Sequence, residues 1–581
     1  MRQEGREGQG LEVALGALLA AAAGLGAILW AATGLGAVLS GLGWPRVSAG
    51  EVAHALLALP SHFANPRLAW PAAMRASMPG PAAFYVGLAL ALAVAAAAVA
   101  AVVRLRDSGA VGGGQGSERG ARWGSTRELA PLRQRSRIQS RLARHTDRDS
   151  GRLALGFRGR ALLRGEARHA LVVFGPPQSG KSAGVAIPAL LEWEGPAVAS
   201  SIKTDLYGAS ARRRHALGEV MVFDPYGLAP VRGSTWSPLR LARTWDGALS
   251  TALRITAAGE LDTSNVKGGS YWAAAAEQRL APLLWAAAQT GAGIGAVVRW
   301  AYGQGDAELP PILHRLLERA AEGRELADAQ AAYDAHVAFE ALAGETRSSI
   351  ESTVQMLLRA YRSPRVQASA ASCEITPERL LAGSNTLYLI GDSHRSKLLR
   401  PIFLALLQEL VDHAYHDATL SGGRLERPLL LCLDELGNVA PLPNLAEVAS
   451  TAPSHNIQLV SIFHDVAQAR TRYGDQVQTV INSHRARMLL PGVADLETLR
   501  YFSDLLGERH GRQRLEGRDR QREVPDRRPL AAPQELRQLS DGQALLVYGR
   551  LAPTKLRLRS YYADRKLRSL ADVDAGEEPA R

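Results

Sequence analysis

Leu171-Val172-Val173-Phe174 runs directly into Gly175-Pro176-Pro177-Gln178-Ser179-Gly180-Lys181-Ser182, four apolar residues followed by an octapeptide of the form G-x-x-x-x-G-K-[ST]. The apolar run predicts a buried strand, and the octapeptide predicts a phosphate-binding loop at its end. In such a loop the glycines let consecutive backbone N–H groups converge on the β- and γ-phosphates. Lys181 adds a point charge there, and the Ser182 hydroxyl is placed to hold Mg²⁺. Ala183 to Leu191 continue as a helix whose N-terminal dipole favours the same phosphates. The octapeptide is therefore expected to bind a nucleoside triphosphate, with ATP and Mg²⁺ as the bound species.

A second motif lies 434 − 181 = 253 positions downstream, in Leu429-Leu430-Leu431-Cys432-Leu433-Asp434-Glu435. A buried strand ending in two carboxylates is the Walker B arrangement. Asp434 is expected to orient a water on Mg²⁺, and Glu435 to accept the proton of the water that attacks the phosphorus. The two motifs are expected to meet on adjacent strands of one sheet.

Further strands are read at 198–202, 220–223, 386–390, 459–463, 486–490 and 544–548, with helical stretches between them. That alternation predicts an α/β fold with a largely parallel sheet covered by helices. From about residue 237 to 377 no strand is evident, only Ala-, Leu-, Arg- and Glu-rich helical patterning at 271–288, 313–329 and 346–362. This interval is read as an all-α insertion, so the nucleotide domain comprises residues 151–236 and 378–565.

The amino-terminal region has a different composition. Residues 13–43 and 82–103 carry no charged side chain, and each exceeds the roughly 20 apolar residues that span a bilayer. Two membrane helices are expected, making residues 1–106 a membrane domain. Arg46, Arg67 and Arg75 lie between them, whereas Arg104, Arg106, Arg119, Arg122 and Arg127 crowd the segment after the second. The richer side is cytoplasmic, which puts the large carboxy-terminal body there with the nucleotide. Residues 107–150, Gly-, Ser- and Arg-rich, are read as a juxtamembrane linker, and 566–581 as a charged tail.

The 581 residues are too many for one core and imply two or three domains. A net charge of +12 lends support to a polyanionic partner such as DNA. The densest charged stretch, 508–528, mixes Arg with Glu and Asp without aromatic residues and is read as a solvated loop. The two cysteines, Cys373 and Cys432, stand in no metal-ligand spacing.

These motifs, taken in order, resemble the TraG/TraD-type coupling proteins of bacterial type IV secretion and conjugation systems. The resemblance is carried by Gly175–Ser182, Ser200-Ser201-Ile202-Lys203-Thr204-Asp205-Leu206-Tyr207, Phe223-Asp224-Pro225 and Trp236-Ser237-Pro238-Leu239. It continues through Tyr271-Trp272, Ala276-Glu277, Asp434-Glu435-Leu436-Gly437, Asn482-Ser483-His484-Arg485, Pro533-Gln534-Glu535-Leu536, Ala544–Gly549 and Tyr561-Tyr562-Ala563-Asp564. It implies a RecA-like P-loop NTPase domain with an all-α insertion that recognises substrate, two amino-terminal membrane helices, and assembly as a homo-hexamer.

The implied activity is that of an inner-membrane ATPase. It would pass a single-stranded DNA–relaxase complex, or a protein effector, to the components of a type IV secretion channel. An ATP-binding docking platform with little turnover is the alternative, and a chromosome translocase of the FtsK kind is disfavoured by the small number of spans. One departure from the family bears on turnover. His464 stands, before Asp465 and Gln468, where relatives usually carry a Gln that senses the γ-phosphate or the attacking water. A neutral imidazole still donates one hydrogen bond, which makes His464 a third candidate catalytic residue beside Lys181 and Glu435. Pro453 stands where relatives often have Arg. Arg347 and Arg485 are candidates to reach a neighbour's phosphate, each balanced against a role as an ordinary carboxylate-paired arginine.

Overall fold

The computed structural model describes residues 23–107, 120–134, 151–263, 269–305, 307–392, 394–516 and 521–571, and divides into two units between Glu118 and Arg119. In the first unit a helix over residues 23–39 packs on the helix Pro81–Asp107. The contact is close because Gly36 and Gly87 lie in it. A Cβ on Gly36 would meet the Ala83 carbonyl at 2.7 Å, and one on Gly87 would run into the Ala32 carbonyl. Leu29, Ala32, Trp70, Met78 and Phe84 form its core. The helix Ala49–Ala58 between them starts on a capping box made by Ser48 and Glu51. Among the described residues no helix is long and apolar enough to cross a membrane. Residues 13–22 of the first expected span lie outside those described.

The second unit is organised by strands, and those at 171–174, 197–201, 386–390, 429–433 and 457–463 are buried along their whole length. In chain order the strands are β1 (Ala154–Arg158), β2 (Ala161–Arg164), β3 (Leu171–Phe174), β4 (Ala197–Ser201), β5 (Val220–Phe223), β6 (Thr386–Ile390), β7 (Leu429–Leu433), β8 (Ile457–Phe463), β9 (Ala486–Leu489), β10 (Glu508–Glu516), β11 (Gln521–Pro529), β12 (Gln543–Tyr548) and β13 (Thr554–Arg557). Eleven of them form one sheet in the order β2-β1-β13-β12-β9-β3-β8-β7-β4-β6-β5. From β9 to β5 every pair is parallel, and the flank from β2 to β12 is antiparallel.

Continuous apolar strands are what a parallel sheet covered on both faces requires. Accordingly, Val172 and Phe174 of β3 belong to one core and Leu171 and Val173 to the other. In β7, Leu429, Leu431 and Leu433 separate in the same way from Leu430 and Cys432.

The strand order corrects the sequence reading on one point that governs the site. β3 and β7 are not neighbours, because β8 pairs with both: Leu171 stands opposite Val460, and Cys432 opposite the same Val460. The physical reason is the composition of β8, whose seven residues are all buried. Its two polar side chains are satisfied internally. Ser461 shares a 2.9 Å hydrogen bond with Nε2 of His484, and Gln458 donates to the carbonyl of His169. His484 itself bonds the Val480 carbonyl through Nδ1 at 2.8 Å, so it is that nitrogen that carries the proton. Burial pushes its pKa down to about 4, leaving the ring neutral.

Between β5 and β6 the described chain is helical: Trp245–Thr263, Gly269–Thr290, Gly293–Ala301, Leu309–Arg319, Arg324–Glu340 and Gly344–Leu358. The helix expected at 313–329 is two, interrupted before Gly323, whose φ of 94° no ordinary helix residue adopts. The bundle is tied to the long helix Ser396–Leu420 through Glu409, which accepts from Trp236 Nε1 at 3.0 Å and pairs with Arg240, and through Asp412, 2.9 Å from Arg254.

Two further regions differ from expectation. The charged stretch 508–528 is an antiparallel hairpin, β10 against β11, in continuous register from Glu508 opposite Pro529 to Glu516 opposite Gln521. It lacks the apolar alternation by which strands are recognised, which is why it reads as a loop. Residues 120–134, within the expected linker, are built onto the body: Ala121 donates to Glu508, Gly124 to Pro553, and Leu129 and Leu132 are buried.

The helix after the phosphate-binding loop ends at Glu192, which is 8% exposed and gathers Arg164, Arg559 and Lys566, each 2.9 Å away. Burial alone would raise its pKa, but the three cations overcome that and hold it at about 2. A carboxyl depressed in the folded state contributes stability above its unfolded pKa, and that stability is lost as the pH falls through the folded value. The shift corresponds to about 3 kcal/mol at neutral pH. Glu192→Gln is therefore expected to lower stability to urea at about pH 6, with the gap to wild type narrowing as the pH falls below that of a free carboxyl and closing only as it drops through about 2, where the folded wild type also loses the charge.

Candidate nucleotide-binding site

The site lies past the carboxyl ends of β3, β8 and β7. Gly175 leaves β3 with its N–H on the Phe463 carbonyl at 3.1 Å, and it cannot carry a side chain, since a Cβ would stand 2.5 Å from Ser179 Oγ and 2.9 Å from Leu490. Gln178 and Gly180 have φ of 65° and 88°. Left-handed residues alternating with right-handed ones turn successive backbone N–H groups toward one point, the concavity that anions occupy. A π-helical turn, Ser182–Ala186, follows and leads into the helix Ile187–Glu192.

Lys181 is 6% exposed, and its ammonium has no hydrogen-bond partner. Burial lowers its pKa, against the opposing pull of Asp434 and Glu435. An unpaired buried cation is costly, and a protein retains one where an anion is to be received. Ser182 Oγ donates to Asp434 Oδ2 at 2.7 Å, joining the two motifs across β8. Asp434 is 2% exposed and its carboxyl is pushed up to about 6, burial outweighing Ser182 and Lys181. A buried hydroxyl–carboxylate pair beside a triphosphate site is a hard oxygen donor set, which fits Mg²⁺.

Glu435 has φ 50° and ψ 42°, a left-handed conformation that a side chain adopts at some cost. Its own carboxylate is oriented by Asn438 Nδ2, which donates to Oε2 at 3.2 Å, and faces His464 Nε2 at 3.6 Å from Oε1. Burial raises its pKa, yet His464, Asn438 and Lys181 together bring it below the ordinary value, so it is ionised at neutral pH.

His464 follows β8 directly, and the intercalation of that strand is what sets it beside Glu435. Its backbone N–H donates to Gln468 Oε1 at 2.8 Å, while Asp465 caps the next helix on the Gln468 N–H at 2.7 Å. Gln468 thus steadies the histidine's backbone.

The remaining residues singled out from sequence fall elsewhere. Arg347 pairs with Glu340 at 3.0 Å in the helical bundle. Arg485 precedes β9 at the amino ends of the parallel strands, opposite to the loop, and sits 3.3 Å from Glu166. Pro453 is buried in the turn Ala452–His455 ahead of β8. One neighbour of the loop carried no local signal: Leu558, beyond β13, packs on Gly180 and Gly184, and the Tyr561 N–H donates to the Ala183 carbonyl at 3.0 Å.

A phosphate-binding loop, a Ser–Asp pair and a glutamate, brought together by a parallel sheet with one strand between the two motifs, define the class of RecA-like P-loop nucleotide-binding folds. The chain belongs to the type IV secretory system conjugative DNA transfer family, which matches residues 122–577. It is 25% identical over 435 residues to the protein VirD4 of Agrobacterium fabrum, covering 72% of this chain and 63% of that one. It is 24% identical over 374 residues to a conjugal transfer protein TraG of Escherichia coli, covering 60% and 56%. The chain thus spans somewhat less than two-thirds of the length of these relatives. Among solved structures, the bacterial conjugative coupling protein TrwBdeltaN70 in its unbound form superimposes with a TM-score of 0.54 at 18% identity, over 77% of this chain and 95% of that one. The plasmid coupling protein TrwB in complex with ADP and Mg²⁺ superimposes with a TM-score of 0.53 at 19% identity, over the same shares. At that identity the likeness establishes the fold.

Proposed function

We propose that this protein is a membrane-anchored ATPase that couples ATP hydrolysis to the transfer of DNA, or of a protein effector, into a type IV secretion channel. The observation that carries the reading is the buried, unpartnered Lys181 ammonium beside the Ser182–Asp434 pair, a place prepared for a metal-bound polyphosphate. The loop Gly175–Ser182 binds the phosphates, and Ser182 and Asp434 hold Mg²⁺, which neutralises charge on the transferred phosphoryl group. Glu435 accepts the proton of the attacking water. His464 holds that carboxylate in place and lends a donor toward the same water.

The membership in a conjugative DNA transfer family and the sequence of residues 1–106 support the rest. Two apolar helices anchor the chain in the bacterial inner membrane with the body in the cytoplasm. The insertion 237–377 engages the relaxase complex or effector, and six copies form the ring. The +12 charge suits sequence-independent contacts to a phosphate backbone, which weaken with salt.

The test is ATP hydrolysis by the full chain in detergent, with and without single-stranded DNA. Single-stranded DNA is expected to raise turnover, and the increase is expected to vanish at high salt. Lys181-dependent ATP binding with no turnover under either condition would replace the motor with a docking platform.

A further inference from the structure

The antiparallel flank of the sheet carries cations that the nucleotide site does not use. β13 alternates buried and exposed residues, so Leu556 enters the core while Lys555 and Arg557 stand exposed on the opposite face. Each lies over an aromatic ring. Lys555 Nζ is 5.1 Å from the centre of the Trp123 ring, and the Arg557 guanidinium is 4.9 Å from that of Phe157. Phe157 reaches this face because a bulge between Ala154 and Gly156 turns the end of β1 over. Among the described residues neither cation pairs with a carboxylate, so the rings hold the two charges in place without neutralising them.

Residues 120–134 extend this surface. Gly124 donates to the Pro553 carbonyl at 2.8 Å and Ala121 to the Glu508 carbonyl at 2.6 Å, so residues 121–124 bridge the start of β13 to the base of the hairpin. Arg509 is exposed at that base, again without a carboxylate partner among the described residues. Arg158 fastens the bridge by donating to the carbonyls of Gly124 and Lys555, at 3.4 and 3.5 Å, and Trp123 packs against the core. The acid of this segment, Glu128, is taken up by Arg122 and by the Ser125 hydroxyl.

Exposed cations without carboxylates make a surface for a polyanion, and the place of this surface in the chain decides which. Residue 120 comes thirteen positions (120 − 107) after the end of the helix Pro81–Asp107, which includes the expected second span, and Arg104, Arg106 and Arg119 crowd the same stretch. A chain of that length reaches at most about 45 Å, which tethers the surface beside the cytoplasmic leaflet. Rings covered by their own cations take no bases, so the surface offers charge without stacking. That suits a plane of anionic headgroups, which attracts basic residues within a Debye length and in whose interface tryptophan settles.

We propose that Lys555, Arg557, Arg509 and Trp123 dock the cytoplasmic body on the anionic phospholipids of the membrane that anchors the chain. The proposal rests on the membrane-anchored reading above. Docking of this kind is reversible and screened by salt. It turns the antiparallel flank of the sheet toward the bilayer and leaves the parallel part, with the nucleotide site, free of it.

The experiment places the full chain in nanodiscs of phosphatidylcholine alone or mixed with phosphatidylglycerol. A donor dye sits on Thr126→Cys, an exposed position beside the surface, in a Cys373→Ser background with Cys432 buried, and the acceptor is on the lipid headgroups. Energy transfer is expected to be higher in the phosphatidylglycerol discs and to fall to the phosphatidylcholine level at high salt. The ratio of docked to undocked chains is expected to drop about fivefold for each charge removed in Lys555→Gln and Arg557→Gln, and to hold in Lys555→Arg and Arg557→Lys. Thermal melting shows that each variant is folded. Lys555→Gln alone, which leaves Arg557 on Phe157, keeps the test open if the double variant melts early. The proposal is overturned if transfer is equal in the two kinds of disc, or if the folded glutamine variants keep the wild-type difference. Loss of single-stranded DNA binding in those variants with lipid transfer unaltered also overturns it, and makes the surface one for nucleic acid. A wild-type chain that a high-salt wash strips from phosphatidylcholine discs refutes the membrane anchor itself, a result separate from the others.

Discussion

Lys181→Ala is expected to lower kcat/KM for ATP about a thousandfold, the scale on which one preorganised charge at a reacting phosphoryl group acts in a site shielded from water. The expectation follows from burial. A surface lysine would contribute a screened and replaceable charge, but this ammonium is 6% exposed and has no hydrogen-bond partner. Alanine removes the cation and leaves Asp434 and Glu435 facing the incoming phosphates without it, so binding and chemistry both suffer. Steady-state hydrolysis together with a binding titration checks this. A variant that keeps both within a few-fold of wild type would refute the assignment of the site. The fold should survive, because removing an uncompensated buried charge relieves a cost.

Glu435→Gln separates the two steps. The amide keeps the shape of the carboxylate, and its oxygen still accepts from Asn438, but it cannot take a proton from water. Turnover is expected to fall by about 10² to 10⁴, the usual contribution of a positioned general base, while ATP affinity stays near wild type. The measurement is kcat at saturating ATP beside a direct Kd. Unchanged kcat would shift the role of base away from Glu435, and a large loss of affinity would make the residue part of the binding cradle instead.

Much of this site was legible in the sequence because each of its residues sits at the end of a buried apolar run. Gly175–Ser182 follows β3 and Asp434–Glu435 follows β7, and strand-terminal position in a parallel sheet determines which edge a residue occupies. The order of the strands was not legible. Nothing local to Leu171–Phe174 or Leu429–Leu433 says that a third apolar run, 457–463, comes between them, because pairing is decided by which apolar faces fit across the whole sheet.

Short strands escaped for a related reason. Ala154–Arg158, Ala161–Arg164 and Thr554–Arg557 carry Gly or Arg and alternate only briefly, so their assignment depends on the neighbours they pair with. The hairpin 508–529 has charge where a half-buried strand has apolar residues. The placement of Leu558 and Tyr561 on the loop came from tertiary structure alone, since the short run 558–562 has no period to read.

The position of β3 in the sheet bears on how the molecule is made. Its two partners are β8 and β9, and β8 begins 457 − 174 = 283 residues after β3 ends. On the ribosome, at roughly 5–20 residues per second, Leu171–Phe174 emerges at least about 14 seconds before its first partner exists. During that time an unpaired, wholly apolar strand is exposed to other nascent chains, and the long separation makes its closure slow. Biogenesis of this protein should therefore lean heavily on chaperones that shield the early strands. Expression at reduced temperature with added chaperone capacity is the route by which soluble, assembled material is to be obtained.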